Sequence, residues 1–392
     1  MISNKDIICV SNTTWYGEYT KSTVQLMSRL AQRNRVVFVE YPYTLKDLIF
    51  AILRKKEAPV KRMLGIRRRL ITIKSDVDTS VYNLVMPPVL PVYWIKKQKI
   101  FDLALKFNSW IYKITLKKLI KKLEFNEPII VNAYNPFYGT PLINQLNQSS
   151  NIYYCYDGYD TGFYGDKVYD VDHKYTELAD AVITTSDYLK EDKLQFNKKS
   201  YVVKNGVDYE VFASNVKTDV NKSGDKKVGY IGSLDHRFDI DIVEHAIRQL
   251  PEFEFHFTGN LRNLEIKNRL EKYNNVQFFS AIGPNDVPAL LASYDVGIIP
   301  YTITEYNKNI YPLKINEYLA VGVPVVMTAF ADLKDFEGMV SVPNDKESFV
   351  EALKKETNLD TPVLIKERCE FAKKNSWDKR TEEFGKILFD SL

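Results

Sequence analysis

Short apolar runs, each followed by a stretch of helical periodicity, recur along almost the whole of this 392-residue chain. This alternation constrains the fold more than any other feature. Strands separated by helix-length segments can pair parallel, because a parallel neighbour needs a crossover connection. Residues 6–10 (Asp-Ile-Ile-Cys-Val) read as a first buried strand, and 22–32 as a helix with Val24, Leu26, Met27, Leu30 and Ala31 apolar. Residues 35–40, 82–86, 129–132, 152–156, 181–186 and 201–204 read as further strands. After a turn-rich connection (Asn205-Gly206-Val207-Asp208) and a polar stretch at 215–226, a second unit starts with a strand at 227–232. Its later strands fall at 254–257, 276–279, 296–300 and 324–327. The prediction is an α/β, doubly wound chain of two domains, 1–205 and 206–375, with a last helix over 376–392. The length supports two domains. Hydrophobic content of 45% and charged content of 27% suit a soluble globular protein.

The stretch Tyr311-Pro312-Leu313-Lys314-Ile315-Asn316-Glu317 leads through Gly322 into the strand at Pro324. It reads as loop, helix, glycine turn and buried strand. Pro312 fits the first helical turn, where a missing N–H costs nothing. The free donors of that turn make an anion site, and Lys314 adds a positive charge to it. Glu317, one turn on, can accept hydrogen bonds from a ribose diol. A phosphate-binding helix start with a carboxylate one turn later suits a nucleotide sugar.

Gly232-Ser233-Leu234-Asp235-His236-Arg237 follows the first strand of the second unit, at the edge where open α/β sheets bind ligands. Gly232 allows close approach of a phosphate, and Arg237 is either a bidentate phosphate contact or a solvated turn residue. Asp157 ends another strand, with Asp160 as its alternate. It is either a turn residue or a carboxylate able to take an acceptor's proton. The loop Trp15-Tyr16-Gly17-Glu18-Tyr19-Thr20-Lys21 joins the first strand to its helix and lacks the second glycine of a phosphate-binding P-loop.

In their order along the chain, Asn205-Gly206-Val207-Asp208, Gly229-Tyr230-Ile231-Gly232-Ser233, Phe257-Thr258-Gly259-Asn260, Asp295-Val296-Gly297-Ile298-Ile299-Pro300-Tyr301 and the 311–326 stretch resemble GT-B glycosyltransferases. The likeness is to the group that includes sucrose synthases and bacterial lipid-linked sugar transferases, family four of these enzymes. Within it, transferases of the teichuronic-acid type are most similar. The resemblance implies two Rossmann-like domains facing a central cleft, a nucleotide-sugar donor, and a lipid-linked saccharide or other glycan as acceptor. It implies donor contacts from Gly232, Arg237, Asn309, Tyr311, Lys314 and Glu317, and places Gly17 and Lys21 in a loop near pyrophosphate or acceptor. It also implies that the last helix crosses back to the first domain. Two departures stand out. Asp239 and Asp241 replace the second basic residue usual after Arg237, and Asn309 stands where many relatives carry a glutamate. They leave room for a sugar-nucleotide epimerase or a scaffold of the same fold.

The net charge of +4 hides an asymmetry. Residues 46–74 carry ten basic and two acidic residues, and 96–122 carry nine lysines and one acid, Asp102. That half of the chain should face an anionic surface. No nucleic-acid motif accompanies the charge, so an anionic membrane surface is the expected partner. Residues 96–123 read as an amphipathic helix. Ile100, Leu103, Phe107, Trp110 and Ile114 form a stripe expected to pack on the sheet, with the lysines free for the membrane. No signal peptide or membrane-spanning run is read, which suggests a cytoplasmic protein at the inner face of the membrane. The four histidines show no metal-ligand spacing, and the three cysteines build no disulfide framework. Neither a metal nor a cofactor is expected.

Overall fold

A computed structural model describes residues 2–17, 21–159, 161–165, 167–217, 226–331 and 333–392. Asp160, the middle of the 15–21 loop and most of the polar connection at 215–226 lie outside the described residues. The chain forms two compact units, Met1–Lys204 with Arg380–Leu392, and Asn205–Lys379.

Among the described residues the first unit holds eight strands: β1 (Asp6–Ser11), β2 (Arg35–Val39), β3 (Leu70–Lys74), β4 (Ser80–Leu84), β5 (Ile129–Ala133), β6 (Ser150–Cys155), β7 (Ala181–Thr184) and β8 (Ser200–Val202). They lie in the order β3-β4-β2-β1-β5-β6-β7-β8. Every pairing is parallel except β3 with β4. The second unit holds β9 (Lys226–Ile231), β10 (Phe253–Thr258), β11 (Val276–Phe279), β12 (Val296–Ile299) and β13 (Val325–Met327), in the order β11-β10-β9-β12-β13 and all parallel. The strand direction of travel reverses between β1 and β5 in one sheet and between β9 and β12 in the other. Those are the switch points where open α/β sheets bind ligands, beyond the carboxyl ends of the strands.

The expected strands all form, with ends shifted by a residue or two. β3 was not foreseen. It lies inside the basic segment 46–74 and is a sheet edge, with only Ile73 of its five residues buried. Edge strands carry charge on their open side, which masks the alternation that marks a strand.

The helix Gln98–Leu123 corrects a second expectation. Its buried residues are Phe101, Ala104, Asn108, Ser109, Tyr112, Leu116 and Leu119. The stripe expected to pack on the sheet faces outward: Ile100 is 53% exposed, Leu103 70%, Phe107 46% and Trp110 57%. Two apolar faces were available, and the one bearing Tyr112 won because Tyr138 stacks on it at 4.5 Å. Helix Trp377–Asp390 ends the chain. Phe384 meets Tyr154 edge-on at 5.4 Å within the first unit.

Candidate functional site

The second unit gathers three loops at its switch point. Gly232, after β9, has φ +151°, and an added Cβ would lie 2.8 Å from Cε of Lys314. Gly259, after β10, has φ +146°, and a Cβ there would lie 1.9 Å from the carbonyl oxygen of Gly232. Neither position accepts a larger residue without strain. The space beside Gly232 is taken by the Lys314 side chain, from the first turn of helix Leu313–Ala320. The 232–239 loop is fixed on both sides. Leu234 N–H donates to the Asn260 carbonyl at 2.9 Å, and Asp239 N–H to the Pro300 carbonyl at 2.7 Å.

Tyr318 anchors the helix. It is fully buried, accepts from the Ile231 amide at 3.2 Å and donates to the Gly229 carbonyl at 3.0 Å. This pins the helix to β9 and sets the height of Lys314 and Glu317, four and one residues earlier. Asn205 steadies the incoming loop by donating to the Tyr311 carbonyl at 2.9 Å. Tyr318 was not singled out from sequence. Its signal was Gly297 on β12, where a Cβ would lie 2.5 Å from the Tyr318 ring.

Lys314 and Glu317 are both half-buried. Among the described residues, neither side chain makes a hydrogen bond or ion pair within the protein. The helix start has no side-chain cap either, so the amides of Leu313 and Lys314 keep their donors, while the Ile315 amide donates to the Pro312 carbonyl at 3.4 Å. Pro312 differs from expectation: it is the residue before the helix, with φ −73° and ψ 121°, not its first turn. The arrangement leaves an ammonium, uncapped amides and a carboxylate available on one short helix. Such a set can hold a diphosphate and a diol.

The other expected donor contacts are already engaged. Arg237 donates to Asp235 through Nε at 2.9 Å and through a terminal nitrogen at 2.7 Å, and its guanidinium lies 5.4 Å from the centre of the Tyr301 ring. Burial opposes both charges, but the two-pronged bond outweighs it. Asp235 falls below the ordinary carboxylate range and Arg237 rises above its usual value. A phosphate would have to compete with Asp235 for this arginine. Asn309 donates to the carbonyls of Glu305 at 2.9 Å and Tyr306 at 3.1 Å, closing a local turn. Tyr311 is 3% exposed and its ring packs on Phe336 at 5.5 Å, so it serves the core and offers its carbonyl to Asn205.

In the first unit, Asp157 lies just beyond β6, half-exposed, where its own Oδ1 accepts from the Gly158 amide at 2.9 Å. A buried tyrosine group surrounds this turn. Tyr134 donates to the Gly158 carbonyl at 2.6 Å and stacks on Tyr159 at 4.3 Å. Below it Tyr153 joins the hydroxyl of Tyr159 at 2.7 Å and donates to Asp172. The Asp157 turn is thus held from beneath, a rigid seat for a carboxylate.

Gly17 and Lys21 meet: a Cβ on Gly17 would lie 2.8 Å from the Lys21 nitrogen. That nitrogen donates to the Thr14 carbonyl at 2.6 Å, the Thr14 hydroxyl at 2.8 Å and the Tyr16 carbonyl at 2.7 Å. All three ammonium donors are used in closing the loop. Lys21, expected near pyrophosphate or acceptor, thus acts in this structure as a staple of its own loop.

Among the described residues one group, Asp172, His173 and Asp192, brings three metal-capable atoms within 4.8 Å of one another. The buried Lys193 ammonium pairs with both carboxylates, at 2.7 Å for Asp192. The group is an ion-pair network in which one ammonium bridges both carboxylates. No helix among the described residues is long and apolar enough to cross a membrane.

Residues 225–356, within the second unit, match the family model described as Glycosyl transferases group 1. The Bacillus subtilis (strain 168) protein assigned to teichuronic acid biosynthesis as glycosyltransferase TuaH is 29% identical over 167 residues. That match covers 39% of this chain and 41% of the relative, so the likeness spans about two-fifths of either. Solved structures similar over nearly full length include an α,α-trehalose 6-phosphate synthase from Burkholderia multivorans (TM-score 0.67, 12% identity, 98% of each chain). The catalytic domain of starch synthase IV from Arabidopsis thaliana, bound to ADP and acarbose, has TM-score 0.65 and 12% identity over 99% of each chain. Anabaena HepE in complex with UDP-glucose has TM-score 0.63 and 13% identity, over 98% of this chain and 99% of that one. The fold is GT-B.

Proposed function

We propose that this protein is a glycosyltransferase that moves a sugar from a UDP-sugar to a lipid-linked saccharide or other glycan acceptor in surface polysaccharide synthesis. One observation carries the reading. Among the described residues, the helix Leu313–Ala320 keeps an ammonium, a carboxylate and its first two amides free of protein partners at the switch point of the family-matched domain. Lys314 and those amides would neutralise the diphosphate as it leaves, an electrostatic role that needs no metal. Glu317 would accept the ribose hydroxyls. The UDP-glucose held by the HepE structure and the polysaccharide role assigned to TuaH support the choice of donor and acceptor classes. Asp157, seated on its tyrosine group, would take the proton from the acceptor hydroxyl, which makes the reaction a displacement with inversion. Titration with UDP by calorimetry tests the donor reading. A hexose donor screen followed by NMR of the product linkage tests the chemistry. Heat on adding UDP is expected, and its absence would leave a scaffold of the same fold.

The first unit would sit on the inner face of the cell membrane in the cytoplasm. The outward stripe of helix Gln98–Leu123 supports this more directly than charge alone. Leu103, Phe107 and Trp110 project from its first half, whereas the exposed Lys117, Lys118, Lys121 and Lys122 occupy its last turns. Apolar rings would enter the headgroup boundary while the lysines meet anionic lipid, each worth roughly 1 kcal/mol. Replacing those four lysines with Gln should release the protein from anionic vesicles at physiological salt. A wild type indifferent to such vesicles would refute the attachment.

A further inference from the structure

Lys21 is spent on its own loop, so any anion that the first unit binds must find its cations elsewhere. They lie beside the same loop. A cavity of about 950 Å³ opens beyond the carboxyl end of β2, and Thr14, Tyr16, Arg54, Lys55 and Arg62 are among the residues that line it. Its inner wall carries Glu40, which is 5% exposed and accepts from the Trp15 amide at 3.0 Å and from Asn83 at 2.6 Å. Burial pushes the Glu40 carboxyl up, against the pull of these two donors and of Arg62 and Lys21.

The cations differ in how they are committed. Lys56 pairs with Asp47 at 2.5 Å. Arg62 gives one terminal nitrogen to the Arg69 carbonyl at 2.6 Å and to both oxygens of Asn83 at 2.8 Å, yet its Nε–H is buried without an acceptor among the described residues. Arg54 and Lys55 are exposed, and their side chains make no ion pair or hydrogen bond among the described residues. Among the described residues that line it, Glu57 is the one exposed acid. Beside this charged mouth runs helix Leu45–Ile52, whose Ile49 is 54% and Ile52 63% exposed, followed by Leu53 at 57%. A cationic mouth with an unsatisfied buried donor, next to an open aliphatic track, matches a phosphate ester joined to an apolar chain.

We infer that this cavity seats the phosphate of a lipid-linked acceptor, with Arg54, Lys55 and Arg62 on the phosphate oxygens and the lipid along Ile49, Ile52 and Leu53. The inference rests on the transferase reading and names the acceptor's anchoring group. Tyr16, which lines the same cavity and is 67% exposed, would offer its ring to the first sugar. A phospholipid headgroup shares the phosphate chemistry, so the test must separate the two sources.

The probe is geranyl diphosphate, titrated into the full chain by calorimetry with UDP held at saturation, so that the Lys314 region is occupied. Wild type should bind it, and more tightly than inorganic pyrophosphate by at least about tenfold, the contribution of the chain. The double variant Arg54→Asn with Lys55→Gln should bind it at least about tenfold more weakly, as the loss of charge-assisted bonds predicts. Asn suits position 54, where φ is +57°. Ile49→Ser with Ile52→Ser should erase the advantage over pyrophosphate. UDP affinity and melting temperature should stay at wild-type values in all of these variants. Equal binding of geranyl diphosphate to wild type and the double variant would overturn the assignment. Dihexanoyl phosphatidylglycerol binding as tightly as geranyl diphosphate would overturn the acceptor role in favour of a headgroup. UDP binding without geranyl diphosphate binding would remove this inference alone, whereas loss of both would remove the transferase reading beneath it.

Discussion

Lys21 and Lys314 look alike in sequence and behave oppositely in the structure. Each follows a strand and a loop at the carboxyl edge of a parallel sheet, and each side chain approaches a glycine, Gly17 in one unit and Gly232 in the other. Lys21 meets three oxygens from Thr14 and Tyr16 and has no donor left. Lys314 meets none within the protein, among the described residues. What separates a structural staple from a ligand contact is therefore the local supply of acceptors. Around Lys21 the loop backbone turns its carbonyls inward. Around Lys314 the neighbouring backbone is a helix start, which presents N–H groups and has no carbonyl to offer. The same lysine chemistry is quenched by one backbone and left open by the other.

The proposed function puts donor binding in the second unit and proton transfer in the first, and that division can be broken at several points. Asp157→Asn keeps the side-chain shape but cannot accept a proton. It should lower kcat by about 10²–10⁴-fold while UDP affinity stays at the wild-type value. A matching fall in UDP affinity would end the division of labour, and a product of retained anomeric configuration would end the base role. Gly259→Ala forces a Cβ into the Gly232 carbonyl and should cost the second unit about 3 kcal/mol or more. It should abolish UDP binding near the melting point, as thermal denaturation with and without UDP would reveal. Glu317→Ala should weaken UDP by about 2 kcal/mol and 2′,3′-dideoxy-UDP hardly at all, a pair of titrations that isolates the ribose contact. Arg237→Ala should have the smallest effect on UDP, less than about 1 kcal/mol, since Asp235 already holds the guanidinium.

The centres of the sheets were legible because strands such as β1, β5 and β6 are buried on both faces. β1, β5 and β6 read as continuous apolar runs, and twelve of the thirteen strands needed only their ends adjusted. β3 was hidden because an edge strand has one wet face and lies among arginines. The outward stripe of helix Gln98–Leu123 was misread for a different reason. The helix has apolar residues on two faces, and periodicity alone cannot say which face meets Tyr138 and its neighbours. Of the candidate site, Lys314, Glu317 and Gly232 could be read from sequence because their neighbours set the backbone. The engagement of Arg237 by Asp235 and of Asn309 by its own turn depends on side-chain geometry that spacing does not encode. The cations Arg54, Lys55 and Arg62 appeared only as part of a charge excess. Their grouping around Glu40 comes from the chain returning past β2.

The most direct test of the contrast is one set of UDP titrations by calorimetry on wild type, Lys314→Ala and Lys21→Met. Wild type should bind, and Lys314→Ala should bind at least about tenfold more weakly, as expected for losing a charged partner of a phosphate. Lys21→Met should bind as wild type does while melting a few degrees lower, because three loop acceptors lose their donor. Wild-type affinity in Lys314→Ala, or a loss confined to Lys21→Met, would contradict the account.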